Sequence, residues 1–271
     1  RLLPAGEVED WLSQNASGTA SLGPLEPQIT PGEYAHAFER LRDAIRAGDI
    51  YQANLTFPLA GSYRGDPMAV YAALRPAAQA GYGGVVFDGH DWLLSLSPEL
   101  FVSLKEQTVR AKPMKGTRPR SGDPDTDAAL ARELAGSDKE RAENLMIVDL
   151  LRNDLGRVAE TGSVRVPGLM RLESFATVHQ MVSTIVAQKK DTVGTGEVIR
   201  AAFPGGSMTG APKIRSMAIL DDLEEGPRGV YSGSIGHISW NGAFDLNIVI
   251  RTAIFNDGEI LVGAGGAIVV Q

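Results

Sequence analysis

The chain has 271 residues, 43% hydrophobic and 22% charged, and its 33 acidic side chains outnumber 26 basic ones to leave a net charge of −7. That balance argues against a general nucleic-acid binder, which needs a basic surface, and the absence of cysteine excludes disulfides, thiol catalysis and cysteine-held metals. No apolar run reaches the roughly 18 residues of a membrane span and no leader is readable, so the expectation is a cytoplasmic chain without membrane contact.

Residues 1–30 are rich in Gly, Pro and Ser, lack periodicity, and read as a partial lead-in; residues 31–271 read as one continuous domain. The chain opens on Arg1 rather than Met and stops at Gln271, directly after a glycine-rich run, so a longer natural protein is expected. Thr30 as N-cap, Pro31 in the first turn and Gly48 as a stop predict a helix with Tyr34, Phe38, Leu41 and Ile45 along one face. "IYQANLTFPLAG" alternates as a strand, and "PMAVYAALRPA" reads as a short helix ending before Pro76. From Gly83 to Arg110 the runs "GGVVFDG", "DWLLSLSPELFVSLK" and "QTVRAK" read as strands. Helices are predicted over 125–136 and, from a Ser137 cap, through "SDKERAENLMIVDLLRNDLGRV". "SVRVPGLMRLESF" and "TVHQMVSTIVAQ" return to strand, "GEVIRAAFP" and "TGAPKIRSMAILDDLEE" to helix. "GVYSGSIGHISW", "AFDLNIVIRTAIF" and "EILVGAGGAIVV" read as three closing strands. Strands in adjacent runs, without a regular βαβ beat, predict an α+β class with largely antiparallel sheets.

Several stretches carry chemistry. On the Ser137 helix, Glu140 and Glu143 are three apart, on the stripe that continues through Ile147, Leu150 and Leu151. Carboxylates aimed at packed structure need a partner; a hard divalent cation such as Mg2+ fits, as does an ordinary acid pair near a helix N-terminus. "FPGGSMTGAPKIRSM" brings glycines to a helix start near Lys213, which is either an anion site or a tight turn. "GAGGAIV" is a second glycine-rich turn that either presents amides to an anion or marks a bulge. Arg251, inside a strand pattern, is either a buried ion pair or a carboxylate clamp. His179 is more in keeping with a satisfied core residue than with a catalyst. Glu99, after Pro98, is either a general acid or a turn residue. "AKPMKGTRPR", residues 111–120, reads as a stiff bend that holds Lys115 among Lys112, Arg118 and Arg120. Neighbouring cations and desolvation would lower its pKa and free the amine as a nucleophile; the alternative is a solvated basic loop.

Taken together, "SPELF", "KGTRPR", "DKERAENLMIVDLLRNDLGRV", "FPGGSMTGAPK", "YSGSIG", "IVIRTA" and "GAGGAIV" resemble, in order, the motifs of the chorismate-utilising enzymes, from about Ala35 to the end. Lys115 and "PGGSMTG" resemble the para-aminobenzoate branch, since anthranilate synthases typically carry alanine at the lysine position. The resemblance implies an α/β sandwich: two antiparallel-rich sheets face to face, helices outside, a cleft between. It implies amination of chorismate at C4 with ammonia, with Lys115 attacking C2 and Glu99 protonating the departing hydroxyl. It implies Mg2+ on Glu143 with Glu140, and substrate carboxylates held by Arg251, Tyr231, Lys213 and the amides around Gly265 and Gly266. Thr209 and His179 would line the ring pocket. The ammonia would come from a glutamine amidotransferase subunit. The family continues past "GAGGAIV" into an acidic segment with further metal ligands, and carries an upstream segment, neither of which this sequence includes. An anthranilate synthase, an isochorismate-type enzyme and a non-catalytic chorismate-binding relative are the rival readings.

Overall fold

The computed structural model describes residues 4–269; the first three residues of the lead-in and the last two of the chain lie outside them. In chain order the elements are α1 (Val8–Asn15), β1 (Ala20–Leu22), β2 (Glu26–Pro27), α2 (Pro31–Arg46), β3 (Gln52–Gly65) and α3 (Pro67–Ala78). Then follow β4 (Gly84–Phe87), β5 (Trp92–Ser95), β6 (Leu100–Lys105), β7 (Thr108–Lys112), β8 (Met114–Pro119), α4 (Pro124–Gly136) and α5 (Asp138–Gly156). The chain goes on through β9 (Arg165–Ser174), β10 (Val178–Gln188), α6 (Thr195–Ala202), β11 (Gly210–Ala211) and α7 (Lys213–Leu223). It closes with β12 (Gly236–Ile238), β13 (Phe244–Asn247), β14 (Thr252–Asn256) and β15 (Glu259–Ile268).

The strands form two sheets, one of eight strands with the path β1-β3-β15-β14-β5-β4, the other of seven with the path β12-β13-β6-β7-β10-β8. Every named pairing in both is antiparallel, as the adjacent strand runs require. On β10, Val186 faces both Arg110 and Arg165, and Val182 faces both Met114 and Arg171. So β7 and β8 lie end to end along one edge of β10, and β9 lies along the other.

Two corners join the sheets. The chain leaves the first sheet after Ser95 and enters the second at Leu100; it leaves the second after Asn247 and re-enters the first at Thr252. The two corners run side by side. Leu96 N–H donates to Arg251 O at 2.9 Å, Ile248 N–H to Glu99 O at 3.1 Å, and Ser97 Oγ to Ile248 O at 2.6 Å. Strands that switch sheets at a bend are one of the ways two sheets share a core.

Helices cover the sheets through apolar stripes. The capping box of α2 is complete, with Glu33 N–H on Thr30 Oγ1 and Thr30 N–H on Glu33 Oε2. Its Leu41 and Ile45 bury against Ile50, Ala53 and Leu55 of the β3 region. Ser137 caps α5, whose Ile147, Val148, Leu151 and Leu155 pack on Val102, Val109 and Ile185 of the second sheet. Among the described residues no helix is long and apolar enough to cross a membrane.

Four sequence expectations change at element level. The stretch 1–30 is not loose where it is described: α1 buries Leu12 against Met68, Val70 and Tyr71, and β1 and β2 pair with β3. Helix α3 runs through Pro76, because a proline forfeits only its own bond to the carbonyl four residues back, and Gln79 N–H still closes on Arg75 O. "GVYSGSIGHISW" yields only the short β12; residues 229–232 form turns, with Gly229 at φ +58° and Ser232 at φ +66°, and the carbonyls of Gly233 and Ile235 accept Val249 N–H and Asn247 N–H outside any named strand. "AFDLNIVIRTAIF" is two strands in two sheets, because the chain turns at the second corner, with Arg251 at φ +48°.

Candidate active site

Lys115 stands on a strand, not on a loop. Residues 108–119 run along β10 as one line broken at Pro113, whose carbonyl accepts Ser183 N–H at 3.1 Å. The register steps once: Thr117 faces Gln180 and Met114 faces Val182, which leaves Lys115 and Gly116 together opposite Met181. This is a β-bulge, and a glycine at φ +84° supplies the left-handed residue such a bulge takes. The expected stiff bend is therefore a bulged strand. A Cβ on Gly116 would meet Leu134 Cδ1 at 2.9 Å and Glu140 Cβ at 3.0 Å, so the bare glycine also lets β8 lie close to α5.

The ammonium of Lys115 donates to Ser207 O at 3.3 Å. Burial pulls its pKa below the usual lysine range, against the carboxylates of Glu99, Glu143 and Glu140, which push it up. The neighbouring cations expected to lower it are each neutralised: Lys112 by Glu173 at 3.0 Å, Arg118 by Glu133 at 2.8 Å and Glu140 at 3.6 Å, Arg120 by Asp127 at 2.9 Å. Desolvation, not like charge, is therefore what lowers the lysine pKa.

Glu99 ends the first corner and is 5% exposed. Burial pushes its carboxyl up to about 7, although Lys115, the Ser207 side chain and the Met114 backbone pull the other way. Ser207 thus touches both groups, with its side chain on Glu99 and its carbonyl on Lys115. A buried acid protonated near neutrality, beside a desolvated amine, is the pairing that general acid and nucleophilic catalysis need.

Glu140 and Glu143 project from the first two turns of α5. Burial, and then the Glu140 charge, raise the pKa of Glu143, while Lys115 and Lys139 lower it. Two half-buried like charges fit a hard cation that takes one or two protein carboxylates and keeps several waters. No group of three or more potential His, Cys, Asp or Glu ligands occurs among the described residues, and this coordination mode does not require one.

The carboxylate-holding candidates separate into two sets. Arg251, at the second corner, is exposed, and its guanidinium has no partner among the described residues, so the buried ion-pair alternative does not hold. "GAGGAIV" is not a turn but the inner half of β15, with Gly265 opposite Thr56 and Gly266 opposite Leu55. Strand β14 pairs β15 only from Ala253↔Val262 to Asn256↔Glu259, so the 263–268 half has a strand on one edge alone. Tyr231 lies against that half: a Cβ on Gly263 would sit 2.1 Å from its ring. Thr209, 5% exposed, hydrogen-bonds Gly205 O, and its carbonyl accepts Asn54 N–H.

Lys213 and His179 go elsewhere. The Lys213 ammonium is held by Asp154 at 2.5 Å and Ala202 O at 2.9 Å, a largely buried pair that ties α7 to α5. His179 is bonded on both ring nitrogens, to Ser174 Oγ at 2.8 Å and Asp127 Oδ1 at 3.0 Å. Both of its ring nitrogens are satisfied within the core, at 3% exposure.

Sequence reading missed four kinds of residue. Ser207 is one. The Arg228–Glu224 pair is another. Gln52 is fully buried with neither amide atom bonded, and Gln180 is 8% exposed with its Oε1 unbonded and its Nε2 on Thr117 Oγ1 at 3.4 Å. The signal for the glutamines was weak: each lies in a run that reads as a strand, but beside other polar residues, Asn54 and Thr56 in one and His179 and Ser183 in the other.

The family model described as chorismate binding enzyme matches residues 5–271. Component 1 of the aminodeoxychorismate synthase of Klebsiella aerogenes is 46% identical over 263 residues, 96% of this chain and 58% of that protein. An aminodeoxychorismate synthase of Streptomyces pristinaespiralis is 43% identical over 282 residues, 98% of this chain and 39% of that protein. The crystal structure of anthranilate synthase component I from Streptococcus pneumoniae TIGR4 superposes with a TM-score of 0.86 at 35% identity, over 98% of this chain and 60% of that one. The chain spans about half the length of the curated relatives it matches.

Proposed function

The chain belongs to the chorismate-binding enzymes, and from that premise we propose that it is the chorismate-aminating part of an aminodeoxychorismate synthase, converting chorismate and ammonia to 4-amino-4-deoxychorismate. The observation that carries this reading is the buried pair of Lys115 and Glu99, joined through Ser207. The desolvated Lys115 amine attacks C2, both ring double bonds shift one bond towards C4, and the C4 hydroxyl leaves as water with the proton of Glu99. Ammonia then adds at C4, the C2–N bond breaks, and Lys115 departs as the free amine. Glu99 regains its proton from solvent. Two displacements return the substituent to C4, whereas a site without the lysine would add ammonia at C2 and stop there.

Glu143, with Glu140, would hold Mg2+, which supplies neutralising charge for the ring carboxylate. Arg251, Tyr231 and the free edge of β15 at Gly265 and Gly266 hold the substrate's carboxylates in this reading, and Thr209 lines the ring pocket. The Klebsiella relative is named as component 1; we assign this chain a glutamine amidotransferase partner that delivers the ammonia, and a place in the para-aminobenzoate branch that leads to folate.

The test is product identity by chromatography and mass, with chorismate, Mg2+ and ammonium, for the parent and for Lys115→Ala. The parent forms the C4 amine, and the variant loses it or shifts to C2 products. An ortho product from the parent would make the chain an anthranilate synthase, the activity for which the Streptococcus protein is named. An unchanged para product from the variant would remove the covalent route.

A further inference from the structure

We propose that Arg228, locked by Glu224, is the positioning residue of this site: one guanidinium sets the segment that holds Lys115 and Glu99, the strand behind Gly265 and Gly266, and the turn that carries Tyr231. The inference rests on the reading that Lys115 and Glu99 act on chorismate.

The geometry is specific. Arg228 Nε donates to Glu224 Oε2 at 2.8 Å and Nη2 to Glu224 Oε1 at 2.7 Å. Nη1 donates to Met208 O at 2.6 Å and Ser232 Oγ at 3.2 Å, and Nη2 also donates to Asn54 O at 2.8 Å. Each of the five N–H bonds a guanidinium offers is used. Glu224 Oε1 accepts Thr56 N–H at 3.0 Å and Thr56 Oγ1 at 2.9 Å. The two side chains are only 17% and 10% exposed.

Each anchor is one step from a site group. Met208 follows Ser207, which touches both Lys115 and Glu99. Asn54 and Thr56 flank Leu55 on β3, the strand paired to Gly266 and Gly265. Ser232 follows Tyr231. Beyond the ion pair, the guanidinium spends its other three donors on two carbonyls and a hydroxyl from three separate segments, and so fixes where those segments lie relative to one another. The pair is neutral as a unit, so it fixes these segments without adding net charge beside Glu99. Lysine offers three donors and no fork, and cannot replace this arrangement.

The test compares parent, Arg228→Lys and Glu224→Gln as full chains. Kinetics are measured with chorismate, Mg2+ and ammonium across pH, and amide hydrogen exchange is measured by mass spectrometry. In Arg228→Lys, kcat/KM falls at least tenfold with a raised KM for chorismate. The alkaline limb of its pH profile moves upward, because loosening Ser207 removes a bond that holds the Glu99 carboxylate down. Exchange quickens over residues 205–209 and 229–233 while α2 keeps its protection. A variant with a lower Tm but unchanged KM, pH profile and exchange in those segments overturns the proposal. If Arg228→Lys does not fold, Glu224→Gln is read by the same criteria. If the parent itself turns over no chorismate, the functional reading fails, and the exchange pattern alone decides whether the clamp exists.

Discussion

In the proposed mechanism, Glu99 is where a single side chain carries both stability and chemistry. Its carboxyl titrates at about 7 in the folded chain, against an ordinary 4.5. A folded pKa above the unfolded one makes the contribution to stability complete below about 4.5 and lost as pH rises through about 7. Above that pH the buried carboxylate costs the fold about 3 kcal/mol, from the size of the shift. Glu99→Gln is therefore expected to raise stability in denaturant titrations at pH 8, with little change at pH 4. The same substitution should lower turnover by about 10²–10⁴-fold, the usual worth of a general acid, and remove the alkaline limb of the rate profile. Equal stability of parent and variant at pH 8 would show the carboxylate to be solvated. At this scale the sequence was legible where residue type alone limits the chemistry on offer: it singled out Lys115 and Glu99, which the fold brings together and buries. It was illegible where partners decide. Nothing local to Lys213 or His179 announces Asp154 or Asp127, which lie 59 and 52 residues away. Of the two causes expected to lower the lysine pKa, desolvation stands and the cations drop out, since Lys112, Arg118 and Arg120 meet their carboxylates only in the fold.

At the scale of elements, the caps and apolar stripes of α2 and α5 were readable because they are local, with Thr30, Glu33 and Ser137 in the expected places. The corners were not. "DWLLSLSPELFVSLK" and "AFDLNIVIRTAIF" are continuous apolar patterns, and only their pairing with one another turns each into two strands in two sheets. The bulge at Lys115 was half legible: Gly116 signalled a special conformation, but not that two residues would share one partner. Gly116→Ala tests that element. It puts a side chain at φ +84° and a Cβ 3.0 Å from Glu140 Cβ, at a cost of about 1–3 kcal/mol for strain and crowding. Because β8 must then move off α5, activity should fall by more than the lost stability explains, and the Mg2+ concentration for half-maximal rate should rise. A fully active Gly116→Ala protein would mean that the close approach of β8 and α5 is incidental.

On the scale of the molecule, the candidate site lies where the two sheets are tied together. Glu99 and Arg251 come from the two corners, Lys115 from the second sheet, and Gly265 from the first. Asn247 is the polar bolt of that joint. It is 3% exposed, its amide donates to Tyr82 O at 2.8 Å and Ser95 Oγ at 3.3 Å, and its carbonyl accepts Ile235 N–H at 2.9 Å. Thr252 Oγ1 completes the lock on Ser95 at 2.9 Å. Asn247→Ala strands these groups in the interior, and an unsatisfied buried group costs about 1–3 kcal/mol, so a loss of about 2–4 kcal/mol is expected. If the sheets share one cooperative unit through the corners, the denaturation midpoint falls while the slope m stays at the parent's value, since the surface exposed on unfolding is the same. A reduced m, with one sheet melting before the other, would instead mean that the corners merely touch. In that case Lys115 of the second sheet and Gly265 of the first would sit on bodies free to move apart, and no residue-scale contact could keep the amine in register with the free edge of β15.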